Sequence, residues 1–331
     1  VIWLTWRQFR LQAVCAVVAL AAIGAVLAYT GPHVAHLYQA SGIAQCRAHH
    51  GDCGPLIDDF TSHYPWLHIL GPLVLVVPGL VGIFWGAPLL ARELETGTYR
   101  LAWTQSTTRT RWLVTKLVIV GAAGIAVSGL FSVMVALWQS PFDHANGNRF
   151  DPLTFSTKGI VPLAYAAFAF ALGVALGAVL RRILPAMVAT LAVFAGFRFA
   201  FQQWVRPHFA TASQVATPLL SGRQLSSAAA TGQTTAVRQN DWIVSARAVN
   251  AAGHTVAVNR ETLRSVCKLA EFDFSQSSLQ GCAQRLHLHT VLTVQPGRRY
   301  WTFQASETAI FGALALVLVA FSLYWTRRRI T

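Results

Sequence analysis

The stretch ARELETGTYRLAWTQSTTRTRWLVTK, Ala91 to Lys116, breaks an otherwise apolar region with two acids, a glycine between two threonines and a basic run. The sequence on either side is too greasy for water. Over 331 residues, 54% are hydrophobic and 11% charged, with a mean hydropathy of +0.46, and a soluble domain of this length cannot solvate such a surface. The chain therefore belongs in a bilayer, and the quoted stretch reads as the wet loop between two crossings.

Six runs reach the roughly 20 apolar residues that a hydrocarbon core requires. They lie near Leu11–Tyr29, Leu67–Ala91, Leu117–Gln139, Gly159–Leu180, Ile183–Trp204 and Phe303–Trp325. The first is read as a retained span, because no small-residue cleavage site precedes Pro32. Continuous apolar runs exclude a membrane barrel, which alternates. The expected fold is an all-α polytopic bundle of six spans at 11–204 and 303–331, with a small α+β domain at 205–302.

Charge predicts the orientation. Arg7 and Arg10, then Arg92, Arg100, Arg109, Arg111 and Lys116, then Arg181 and Arg182, and last Arg327, Arg328 and Arg329 all fall on one side. The short loops opposite carry Arg47, Arg149 and Lys158 against five aspartates. The positive-inside rule makes the first side cytoplasmic, with both termini there. On that side the only acids are Glu93 and Glu95, both inside the quoted stretch. The net charge of +14 is scattered between spans and forms no stripe, so nucleic acid is not an expected partner.

The cysteines follow this topology. Cys46 and Cys53 bracket the first outer loop, Cys267 and Cys282 lie in the long outer segment, and Cys15 sits inside the first span. Outer thiols in an oxidising compartment read as two bridges, most simply Cys46 with Cys53 and Cys267 with Cys282. The other two connectivities of four cysteines stay open. Cys15 reads as buried packing.

In the outer segment, TASQVATPLLSGRQLSSAAATGQTTA lacks periodicity and reads as a loop. DWIVSARAVNAAGHTVAVN reads as a hairpin, NRETLRSVCKLAEF as a short helix behind Asn259, and LHLHTVLTV as a strand.

No phosphate-cradling loop, nucleophile elbow or zinc-protease motif occurs, so the chain carries no recognisable catalytic site. The outer histidines, His33, His36, His49, His50, His287 and His289, complete no metal-ligand set, and solvated loop histidine is the simpler reading. Two ionisable residues fall inside spans: Arg198 in the fifth and Glu307 in the sixth, at similar depths counted from the outer ends. They are expected to pair, either lining an exit or sitting at the wet interface with Arg198 snorkelling outward.

The quoted stretch, the six spans and the outer segment before the last of them together resemble the permeases of type-2 ABC transporters, related to the ABCG half-transporters. The resemblance rests on Arg92, Glu93, Glu95, Gly97, Thr98, Leu101, Arg109 and Lys116, which follow the family's R-E-x-E-x-G-T pattern, apolar stretch, basic turn and lysine. Where the family often has proline before the basic turn, this chain has Gln105-Ser106. WLTWRQFR, within residues 1–10, is similar to the family's interfacial connecting helix.

The resemblance implies a permease without bond-making chemistry and without a cofactor of its own. ATP and Mg would be held by a separate ABC ATPase, and the working unit would contain a second permease copy, identical or not, in the plasma membrane of a bacterium. Residues 92–108 would form the coupling helix: Arg92, Glu93, Glu95, Gly97 and Thr98 shape it, and Tyr99, Leu101 and Trp103 supply an apolar anchor for the ATPase. The substrate, a hydrophobic or amphipathic drug, lipid or peptide, would pass between copies along Phe84, Phe194, Phe197, Phe201 and Trp204. Helix packing accounts for those aromatics equally well. A second function fits the same residues: ATPase-driven signalling by the outer domain, with nothing crossing.

Overall fold

The computed structural model describes residues 2–48, 53–63, 67–97, 108–146, 149–150, 152–218, 237, 240–256, 284 and 287–328. The chain divides into two compact units. One comprises Val1–Ala145, Leu153–Arg206 and Thr302–Thr331; the other comprises Asn146–Pro152 and Pro207–Trp301.

The first unit is helical. Helix α1 (Ile2–Ala40) is followed by short helices α2 (Ile43–Ala48) and α3 (Gly54–Ser62). The second span consists of α4 (Leu67–Val81), a wide π turn at Gly82–Gly86 and α5 (Ala87–Thr96). Then come α6 (Arg109–Trp138), α7 (Ser140–Asn146), α8 (Pro152–Thr157), α9 (Val161–Leu180) and α10 (Ile183–Ala200). Helix α10 continues through a π turn, Phe201–Val205, and a 3₁₀ turn, Arg206–His208. The last helix, α11 (Tyr300–Arg328), starts behind a 3₁₀ turn at Gly297–Arg299. Among the described residues, six helical stretches are long and apolar enough to cross a membrane.

The expected interfacial segment at 1–10 is not separated from the first span. The helix runs unbroken from Ile2 through Ala40, even past Pro32, because nothing in WRQFRLQAV offers a cap or a breaker.

Helix α9 is the hub of this unit. Its span is 72% buried, against 6% for the first span and 17% each for the fifth and sixth, so α1, α10 and α11 carry the faces open to lipid or to another chain. The hub forms because both partners present small residues one turn apart: Gly82 and Gly86 on the second span, Gly173 and Gly177 on α9. A Cβ on Gly82 would lie 2.6 Å from the Ala169 carbonyl oxygen, and one on Gly173 would lie 2.3 Å from that of Gly82. The two backbones touch where only glycine fits, the packing that membrane helices use in place of a hydrophobic driving force.

Apolar clusters fill both ends of the bundle. Phe9, Val81, Trp85, Leu90, Trp112 and Leu113 gather at one, with Phe9 set edge-on to Trp85 at 4.7 Å. Val34, Ile43, Phe60, Val135, Trp138 and Phe142 gather at the other, beside the Cys46–Cys53 disulfide. Cys15 is free and exposed on α1, which corrects the expectation of burial: α1 turns most of its apolar surface outward, so a thiol in its middle meets no core.

The second unit holds a three-stranded antiparallel sheet in the order β1-β3-β2, with β1 (Ser213–Pro218), β2 (Trp242–Val249) and β3 (His289–Gln295). Leu292 and Val294 of β3 are buried with Val237, flanked by Val215 and Ile243. The sheet bears out the first arm of the expected hairpin as β2 and the LHLHTVLTV strand as β3, and adds β1, inside the stretch read as a loop. β1 was hidden because SQVATP alternates too briefly and ends in proline, which an edge strand tolerates. The turn of the expected hairpin is present, while residues 257–259 of its second arm lie outside the described residues. Asn250 accepts from the Ala252 and His254 amides and a lone bridge joins Val249 to Thr255, but the main partner of β2 is β3. The expected helix behind Asn259, together with Cys267 and Cys282, lies outside the described residues.

Candidate functional site

Two buried polar clusters sit at opposite ends of the bundle. The first is built from the quoted stretch. Helix α5 closes on Gly97, whose φ of 71° is left-handed, so the chain leaves the second span at a position that disfavours any side chain. Thr108, in extended backbone, caps α6 by accepting from the Arg111 amide at 3.3 Å, a common start for a helix. Between Gly97 and Thr108, the residues Thr98, Tyr99, Leu101 and Trp103 lie outside the described residues.

Glu93 and Glu95 point back into the chain. Glu93, 8% exposed, forms an ion pair with Lys116 of α6, itself 2% exposed. Gln8 of α1 completes the knot: its Nε2 donates to Glu93 Oε1 at 3.3 Å and its Oε1 accepts from Lys116 Nζ at 3.1 Å. The Lys116 ammonium also sits 4.6 Å from the Trp112 ring centre, a cation–π contact. Glu95, still exposed, accepts from the Ile183 amide at 2.9 Å. It thereby occupies the N-terminus of α10, where a helix favours negative charge.

The two acids thus tie the end of the second span to the first, third and fifth. Glu93 is thus committed to Lys116 and Gln8 within the chain, while Glu95 stays at the surface. Arg92 is exposed on the same turn. Lys116 lies at i+23 from Glu93, where no helical spacing could announce the pair.

The second cluster surrounds Glu307, fully buried on α11. Its partner is Arg206, not Arg198. Arg206 Nε donates to Oε2 and Nη2 to Oε1, each at 2.9 Å, the bidentate geometry that makes arginine–carboxylate pairs strong. Arg206 Nη2 also donates to Ser156 Oγ at 2.8 Å and to Tyr165 Oη at 3.2 Å, while the Tyr165 hydroxyl donates to Glu307 Oε1. Arg206 was missed because the apolar run fades at Trp204, whereas the helix continues through the π turn to His208. Arg198, two turns earlier, instead lies with its guanidinium carbon 4.5 Å from the Tyr165 ring centre.

Beside this cluster Gln304, also buried, accepts from the Ile160 and Val161 amides at 3.2 Å and donates to the carbonyls of Phe155 and Lys158. It satisfies the orphan amides at the start of α9.

The expected path aromatics divide between core and surface. Phe194 and Phe201 are buried; with Phe168, Phe197 and Phe311 they make a ring cluster with centroids 4.9–6.3 Å apart. Phe84 and Trp204 are exposed, and Phe197 is 37% exposed. Among the described residues, no three His, Cys, Asp or Glu side chains converge as a metal site.

No curated protein and no solved structure matches this chain. A family model does: that of the ABC-2 membrane transporter related family, over residues 17–206. The match begins within the first span, takes in the Glu93–Lys116 pair, and ends on Arg206 near the close of the fifth. With more than half of its length matched, the chain belongs to the ABC-2 membrane transporter related family.

Proposed function

We propose that the chain is the permease subunit of an ABC exporter, driven by a separate ABC ATPase that docks on residues 98–107. The observation that carries the proposal is the knot of Glu93, Lys116 and Gln8, reinforced by Glu95 on Ile183. A segment whose flanking helices are tied to four spans would deliver a push to all of them together. Buried charge pairs hold geometry stiffly, since separating the partners strands a charge.

In this reading the end bearing Arg7, Arg10 and Arg181 faces the cytoplasm, and Tyr99, Leu101 and Trp103 anchor the ATPase. ATP binding draws two ATPase subunits together, and the two permease copies they carry rock against each other. The weakly buried faces of α1, α10 and α11 then border the path of a hydrophobic or amphipathic substrate. The second unit lies outside the cell.

Proteoliposomes holding the chain with its cognate ATPase test the proposal. ATP-dependent movement of a labelled amphiphile, lost when the ATPase is omitted, is the expected result. ATP hydrolysis by the complex with no movement of lipid, drug or peptide favours signalling over export. Transport by the chain alone overturns the proposal.

A further inference from the structure

Between the second span and α10 runs an apolar groove of about 300 Å³, lined among others by Val76, Leu80, Ile83, Phe194 and Phe199. Two polar side chains line it, Arg198 near the end of α10 and Gln202 in the π turn that follows. Among the described residues no acid pairs with Arg198 and no hydrogen bond reaches its guanidinium; its Nε is buried with no partner. Glu307, the carboxylate that shares Tyr165 with Arg198, is consumed by Arg206 and Tyr165. This part of the bundle therefore holds two guanidinium groups against one carboxylate.

Ionisable groups at this depth are costly and ordinarily pair within the protein or mark a pathway. Snorkelling to water does not account for Arg198, because its guanidinium lies over the Tyr165 ring, and that ring is held in turn by Glu307 and Arg206. The charge is fixed at the wall of an apolar groove, with no carboxylate paired to it among the described residues.

We infer that this groove binds a single-chain anionic amphiphile, its head on Arg198 and Gln202 and its chain along Leu80, Ile83 and Phe199. The volume lies at the lower end of ligand pockets, which suits one chain and not two. The exposed Val76, Leu80 and Phe199 leave the groove open along its length. The inference deepens the export reading by naming a substrate class, and rests on that reading only for the movement of the ligand.

Binding is measured without any ATPase, so failure of export and failure of this site stay distinguishable. The full chain is placed in phosphatidylcholine nanodiscs, and a pyrene-labelled alkyl sulfonate, ionised at every working pH, is titrated by tryptophan-to-pyrene energy transfer. Saturable binding is expected, displaced by unlabelled hexadecyl sulfonate and at least about tenfold less well by hexadecanol. Arg198→Gln should weaken it about ten- to hundredfold, the range for a hydrogen bond to a charged group. Arg198→Lys, which keeps the charge, should stay within severalfold, and Ala195→Trp should fill the groove and abolish binding. Equal displacement by hexadecanol and hexadecyl sulfonate from the unaltered chain, a comparison that needs no variant, overturns the inference. So does undiminished binding by Arg198→Gln. Equal competition from phosphatidylglycerol overturns the single-chain assignment.

Discussion

Replacing Glu93 by alanine leaves the Lys116 ammonium, 2% exposed, without its counter-charge. Gln8 Oε1 still accepts from Lys116 Nζ, but a neutral amide does not offset a full charge. Removing one member of a buried pair costs about 3–5 kcal/mol. At about 2–4 °C per kcal/mol for a large domain, the melting temperature should fall by roughly 6–20 °C. The loss belongs to the stranded charge and not to the contact itself, so removing both charges should restore stability. Glu93→Leu with Lys116→Met fills a similar volume with apolar atoms, and such swaps are neutral or stabilising. Thermal unfolding in detergent, followed by size-exclusion chromatography of the surviving fraction, measures all three proteins. A double variant less stable than Glu93→Ala would refute the reasoning, as would a shift below about 2 °C for Glu93→Ala.

Other consequences follow from the same structure. Gly82→Ala and Gly173→Ala press a methyl into a facing backbone and should destabilise by about 1–3 kcal/mol each; Gly196→Ala and Gly312→Ala, which meet nothing within 4 Å, should stay within about 0.5 kcal/mol by the same unfolding assay. Arg206→Gln strands Glu307 and should lower folded yield sharply, whereas Tyr165→Phe removes one hydroxyl and should cost about 1–3 kcal/mol; chromatographic yield and melting of the two variants check that order. Arg198→Glu should not rescue Arg206→Gln, because Glu307 pairs with Arg206 and a second acid nearby adds repulsion; recovered yield in the double variant would count against that pairing.

Spans are legible in a sequence because each depends on local composition alone, and all six apolar runs became helices here. Their ends were less legible. Arg109–Lys116 carries three basic residues, yet it is helix from Arg109 on, since Thr108 caps it and the bundle packs Trp112 and Leu113. Pairing was the least legible feature. Glu307 stood out as an acid within a span, but the choice between Arg198 and Arg206 depended on a π turn that hydropathy does not register. Glu93 and Glu95 stood out as the acids of their side, but the partners of Glu93, Lys116 and Gln8, are 23 and 85 positions away, and that of Glu95, the Ile183 amide, is 88 away. The motif identified the junction; only packing revealed that it is a knot.

If residues 98–107 hold the ATPase as proposed, site-directed photo-cross-linking should capture it there. A benzophenone amino acid replaces Trp103 in one sample and Trp301 of the second unit in another, each in membranes that also contain the cognate ATPase. Illumination should join the chain to the ATPase from position 103 and not from 301. An adduct from 301, or none from positions 99, 101 and 103 in turn, would contradict the account.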